Sequence, residues 1–125
     1  MKTQARAVVI GGGVVGVSTL YHLAKKGWSD VVLLERTELT AGSTWHVAGL
    51  LPLFNMSYSV GQLHKYSVRF YQELATETGM DTGFRNVTNV RMARTADRWD
   101  EFMYYAGIAT TIGVTVNMMS PDEIK

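Results

Sequence analysis

Two short stretches of this 125-residue chain combine residue types and spacings that can do chemistry. Gly11-Gly12-Gly13-Val14-Val15-Gly16 fits the pattern G-x-G-x-x-G through Gly11, Gly13 and Gly16. In such a turn the first glycine allows the tight bend off a strand, and the second lets a pyrophosphate approach the backbone with no Cβ in the way. The third lets the following helix pack close to the strand. The N–H groups around Val14 and Val15 then face the phosphates with the helix dipole behind them. The hexapeptide alone is common by chance. Here Glu35 follows at the distance where a carboxylate accepts hydrogen bonds from ribose hydroxyls and repels a 2′-phosphate, which favours FAD or NAD over NADP. Arg36 either lies along the adenosine or is a plain surface arginine. The second stretch is the loop Gly42-Ser43-Thr44-Trp45-His46-Val47-Ala48-Gly49-Leu50. Taken alone, its His46 reads as an ordinary loop histidine.

Local elements must position these groups. Ala5 to Ile10 is a short apolar run that suits a strand buried on both faces of a parallel sheet. Val14 to Lys26 has helical spacing through Val14, Val17, Leu20, Tyr21 and Ala24, with cations in the last turn and Gly27 as a left-handed cap. Val31 to Leu34 is a second apolar strand that stops at Glu35. A right-handed crossover makes this a parallel βαβ unit. Residues 37 to 59 are glycine-dotted and aperiodic, and a loop of that length is often functional. Val60 to Thr78 returns to helix with Leu63, Tyr66, Phe70 and Leu74 as its apolar stripe. Gly83 to Val87 and Asn89 to Thr95 read as a pair of strands, Asp97 to Ile112 as a helix, and Val114 to Met118 as a short strand. Ser120-Pro121-Asp122-Glu123 is a strong helix start with a capping box. A helix that begins so close to Lys125, and a sheet of only two parallel strands, lead us to expect a piece of a longer polypeptide.

Composition narrows the field. Lys plus Arg number 12 and Asp plus Glu 11, a net charge of +1 that gives no electrostatic reason to expect a nucleic acid or a membrane as partner. The absence of cysteine excludes disulfides, thiolate metal sites and thiol nucleophiles. His22, His46 and His64 have no metal-site spacing, so no metal is expected. No secretory signal or transit peptide is recognisable, and the longest apolar run, Val8 to Leu20, is short and broken by glycines. The expectation is cytoplasmic, or the mitochondrial matrix in a eukaryote. Tyr66, Phe70 and Tyr71, Met103-Tyr104-Tyr105 and Met118-Met119 read as core. Residues 97 to 101 read as a solvated face.

The Gly-Ser-Thr-Trp-His stretch, with Glu77-Thr78-Gly79, Gly83-Phe84, Asp100-Glu101-Phe102 and Ser120-Pro121, resembles the dimethylglycine dehydrogenase and sarcosine dehydrogenase family, within the D-amino-acid oxidase superfamily. The likeness covers essentially the whole chain. Val47 departs from it, standing where members more often carry a small residue. The resemblance implies an α/β fold: a Rossmann-like FAD-binding βαβ unit with its flavin-linking loop over residues 1 to 50. The beginning of an α+β substrate domain, incomplete, follows over 51 to 125. It implies FAD bonded covalently through His46, with the backbone from Gly42 to Leu50 wrapping the cofactor. It implies oxidative N-demethylation of a small methylated amine, with electrons passing to an electron-transfer flavoprotein or to oxygen, and tetrahydrofolate in a part of the protein beyond these residues. No catalytic residue is assigned within the chain. Two other readings compete: another flavin amine or amino-acid oxidoreductase of the same fold, and a non-catalytic regulatory relative that kept the fold.

Overall fold

The computed structural model describes residues 3–53 and 55–124; Phe54 in the long loop and the extreme terminal residues lie outside them. The chain divides into two compact units, Met1–Leu50 and Leu51–Lys125.

The first unit is a βαβ element. β1 (Ala7–Ile10) and β2 (Val31–Leu34) are parallel, with Ala7 opposite Val31 and Ile10 opposite Leu34. The ladder is extended at one end by Arg6 N–H to the Asp30 carbonyl at 3.0 Å, and at the other by Gly11 N–H to the Leu34 carbonyl at 2.8 Å. Between the strands runs α1 (Val14–Lys25). Its C-terminus closes as a Schellman motif: Gly27, at φ +83°, donates to Ala24 at 2.9 Å, and Trp28 donates to Leu23 at 3.0 Å. The guanidinium of Arg6 lies 3.9 Å over the Trp28 ring and pins the crossover to the start of β1.

β1 is covered on one face only, contrary to the expectation of burial on both. Its exposure alternates, and Ile10 is 85% exposed. α1 packs on the sheet from one side, and two strands offer no second layer to the other. Val8 and Ile10 therefore lie on the exposed face of the strand.

The second unit is helical. α2 (Tyr58–Thr78) starts at Ser57, whose Oγ accepts Val60 N–H at 3.4 Å, and ends at Gly79 at φ +70°. α3 (Ala96–Ile112) is capped by Thr95, whose hydroxyl accepts Arg98 N–H at 3.3 Å. α2 and α3 pack where Gly61 meets Ile112, one of the few fully buried side chains. Lys65 Nζ donates to the Ile112 carbonyl at 3.1 Å, which satisfies one of the orphan acceptors at the end of α3. At α4 (Pro121–Ile124) the carboxylate half of the expected capping box forms: Glu123 accepts from Ser120 N–H at 2.7 Å and from its hydroxyl at 2.8 Å, while Glu123 N–H donates to the Ser120 carbonyl at 3.1 Å.

Three expected strands do not form. Gly83 sits at φ +71° with its N–H on the Asp81 carboxylate at 2.8 Å, a side-chain turn at the position where the first strand should begin. Residues 83–95 form no strand, and Val87, Val90 and Met92 are exposed, Met92 at 80%. Residues 114–118 alternate in burial as a strand does, but nothing within the described residues pairs with them. An extended segment becomes a strand only beside a partner, and a lone hairpin is marginal in water.

The helical faces also differ from expectation. On α2, Leu63 and Tyr66 of the expected stripe are exposed, whereas Phe70 and Leu74 are half-buried, and Gly61 is buried. On α3, Met103 and Tyr104 face outward while Phe102, Tyr105, Ala109 and Ile112 turn inward. Both helices are apolar over more than one face, so periodicity alone could not select the side that α2 and α3 share. Met119 is exposed rather than core. Tyr66 stacks on Phe70, and Tyr71 on Phe84, with ring centroids 6.3 and 6.1 Å apart.

Candidate functional site

The phosphate turn adopts the geometry that its glycines permit. Gly11 has φ +105°, a conformation that side chains disfavour. At Gly16 an added Cβ would stand 1.9 Å from the Gly11 carbonyl oxygen, so only glycine lets α1 approach β1 this closely. At Gly13 a Cβ would meet the Thr44 hydroxyl at 2.9 Å. Each of the three motif glycines therefore has its own steric cause.

Glu35 is more firmly built in than the sequence suggested. Its Oε2 accepts Gly12 N–H at 2.6 Å, while Oε1 accepts the Thr37 N–H at 3.0 Å and hydroxyl at 3.2 Å. The Gly12 N–H foremost, and the Thr37 N–H after it, hold the carboxyl below its ordinary range. A carboxylate has about four acceptor directions, so these three bonds orient Glu35 and leave about one for a ribose hydroxyl. Gly12 matters for a second reason: a Cβ there would stand 2.7 Å from Leu39 Cδ2. Thr40 N–H donates to the Gly12 carbonyl at 3.0 Å, with Thr40 itself at φ +70°, so the loop after β2 is clamped across the turn. Gly12 and Thr37 had no role assigned from the sequence; the middle glycine of the Gly11–Gly13 run and a threonine two positions after the acidic residue were the available signals.

A cavity of about 760 Å³ brings together Gly11, Gly13, Val14, Val15, Gly16, Glu35, Arg36, Gly42, Ser43 and Thr44. The phosphate turn, the acidic residue and the first part of the second stretch thus share one concavity. Trp45 lines a smaller adjoining one of about 380 Å³ with Glu38, Thr40 and Ala41. His46, Val47, Ala48, Gly49 and Leu50 line neither.

Residues 37–59 are not wholly irregular. Ser43–His46 form one 3-10 turn, which no periodicity could announce in four residues. Its Thr44 hydroxyl accepts the N–H of Val14, the first residue of α1, at 2.8 Å. The His46 ring lies 4.8 Å from that of Trp45, and its Nδ1 is 3.2 Å from the Gly42 carbonyl oxygen. A carbonyl can only accept, so this bond assigns the proton to Nδ1 and leaves the lone pair of the neutral ring on Nε2. His64 points elsewhere: its Nδ1 is 2.7 Å from the Pro52 carbonyl, within the second unit. Among the described residues no group of three His, Asp or Glu side chains could hold a metal, and no helix is long and apolar enough to cross a membrane.

Comparison with known proteins adds an independent line. Residues 6–125 match the model of the FAD dependent oxidoreductase family. Human mitochondrial dimethylglycine dehydrogenase is 52% identical over 124 residues, covering 99% of this chain and 14% of that protein. Human mitochondrial sarcosine dehydrogenase is 41% identical over 126 residues, covering 100% of this chain and 14% of that protein. The chain thus spans about a seventh of the length of these relatives. Among solved structures, L-proline dehydrogenase from P. horikoshii superposes with a TM-score of 0.83 at 23% identity, over 100% of this chain and 33% of that one. That likeness shows a shared fold, in keeping with the Rossmann-like α/β reading.

Proposed function

We propose, since this chain belongs to the family of FAD-dependent oxidoreductases, that it supplies the dinucleotide-binding part of an enzyme that oxidatively demethylates dimethylglycine, sarcosine or a related methylated amine. The observation that carries the reading is the shared cavity: a glycine turn at a helix N-terminus, a braced carboxylate and Thr44 converge on one space. The residues fit FAD. Gly13 leaves the helix N-terminus open to a pyrophosphate, the N–H groups of Val14, Val15 and Gly16 can donate to it, and Glu35 can accept from a ribose hydroxyl. A bound flavin would supply the redox chemistry, as acceptor of the hydride from the N-methyl carbon. The chain's own part is position and electrostatics.

His46 is the proposed attachment point, and its hydrogen bond to Gly42 favours Nε2 as the bonding nitrogen. The identity to dimethylglycine and sarcosine dehydrogenases supports the substrate class. No carboxylate partner and no base for the amine is assigned among these residues. An electron-transfer flavoprotein or oxygen takes the electrons, and the one-carbon unit leaves as formaldehyde or on tetrahydrofolate. The test uses the protein expressed from the full open reading frame containing these residues. Acid precipitation should leave yellow colour in the pellet, the His46 peptide should be heavier by one FAD, and dimethylglycine or sarcosine should bleach the flavin. Flavin released wholly to the supernatant would remove the covalent link, and no flavin would remove the reading altogether.

A further inference from the structure

We propose that Thr44 couples occupancy of the phosphate turn to the presentation of His46, so that the histidine is set for bonding only when a pyrophosphate is seated. The inference rests on the reading that His46 carries the flavin.

Thr44 is the half-buried member of the 3-10 turn Ser43–His46, whose other three residues are exposed. Its hydroxyl takes the N–H of Val14 at 2.8 Å, the group that a phosphate oxygen would take at the start of a helix. It also stands over Gly13, where a Cβ would meet it at 2.9 Å. A neutral hydroxyl therefore occupies the place of an anion. A phosphate oxygen is the stronger acceptor, because it carries charge and faces the positive end of the helix dipole. Once it takes Val14 N–H, the Thr44 hydroxyl is released to donate to the same phosphate, since a hydroxyl is both donor and acceptor.

That exchange reaches His46 through a very short path. Thr44 and His46 lie two residues apart in one turn, Val47 N–H closes the turn on the Thr44 carbonyl at 3.5 Å, and His46 Nδ1 is tied to Gly42. Re-seating the hydroxyl therefore re-seats the turn, and the imidazole with it. Thr44 is a positioning residue in this scheme. The bond it governs joins His46 Nε2 to the 8α carbon of the flavin. One C–H of the methyl group and the ring N–H are broken, and the two electrons and two protons enter the flavin ring, from which molecular oxygen removes them.

The test compares wild type, Thr44→Val, Thr44→Ser and His46→Ala, each from the full open reading frame and checked for folding by circular dichroism. Total bound FAD is read from the native spectrum, and covalent FAD from the acid pellet and intact mass. Thr44→Val should keep bound FAD while its covalent share falls about tenfold, the effect of one lost hydrogen bond on placement. Thr44→Ser should restore that share, and His46→Ala marks the zero. If Thr44→Val does not fold, Thr44→Ala against Thr44→Ser makes the same comparison. A covalent share unchanged in the hydroxyl-free variant overturns the coupling. Loss of all FAD from that variant also overturns it, leaving Thr44 a simple phosphate ligand. Wild type with no covalent flavin overturns the His46 reading itself, and is recognised before any Thr44 variant is compared.

Discussion

Replacing Gly16 by alanine would place a Cβ 1.9 Å from the Gly11 carbonyl oxygen. The obstacle is backbone, so no side-chain rotation relieves it. α1 would have to retreat by roughly 1.4 Å to regain the ~3.3 Å of a close C–H···O contact. Overpacking of this severity costs about 3 kcal/mol. Alanine in a helix interior returns about 1 kcal/mol relative to glycine. The balance is a destabilisation of about 2 kcal/mol, or roughly a 30-fold larger population of locally opened α1. Native-state amide exchange on the protein from the full open reading frame measures it: α1 amides should exchange roughly 30-fold faster, and FAD affinity should fall with them. Gly13→Ala is the contrasting case. Its Cβ meets a side-chain hydroxyl, which can yield, so α1 exchange should change by no more than about fivefold, the N-cap difference between glycine and alanine. FAD affinity should nevertheless drop more than about tenfold, because the methyl group fills the pyrophosphate's place. Gly16→Ala with wild-type exchange in α1 would refute the close-packing argument. Gly13→Ala with wild-type FAD affinity would refute the assignment of the cradle.

Other expectations follow from the same geometry. Because Glu35 is held below its ordinary pKa in the folded state, the order it confers on the turn is fully present above the unfolded value near 4.5 and lost as pH falls through the depressed folded value; FAD release between pH 7 and 5 that Glu35→Gln abolishes would contradict this. In the second unit, Gly61→Ala puts a Cβ 2.3 Å from Ile112 Cδ1 and should cost about 1 kcal/mol net. Ile112→Val, which removes that atom, should recover part of the loss in a double-mutant cycle, and strict additivity would show that the two sites do not press on each other. Thr95→Ala should remove about 1 kcal/mol from α3 by deleting its cap, read as faster exchange of the first-turn amides.

The phosphate-binding half of the site was legible in the sequence because its signals are local. Three glycines, a helix pattern and an acidic residue at a strand end each lie within a few positions of the groups they serve, and their backbone requirements are steric. Thr44 was read as part of a wrapping loop. Its contact with Val14 is separated by 30 positions and carries no pattern. The bracing of Glu35 by Gly12 was missed for a similar reason, the two being 23 positions apart. The strand pair at 83–95 failed on different grounds: β propensity states only that a residue suits a pleated surface, and these residues have no neighbouring strand within the described chain. On α2 and α3 the apolar residues exceed one stripe, so the face they share depends on where Gly61 allows Ile112 to enter.

The hydrogen bonds that shape the cradle, from Gly11 to Thr44, span no more than 30 positions along the chain. Closing loops of that length costs little more than closing a turn, since the entropic penalty grows only logarithmically with length. The pyrophosphate subsite is therefore an early-forming piece, able to assemble as soon as roughly fifty residues are free to move together.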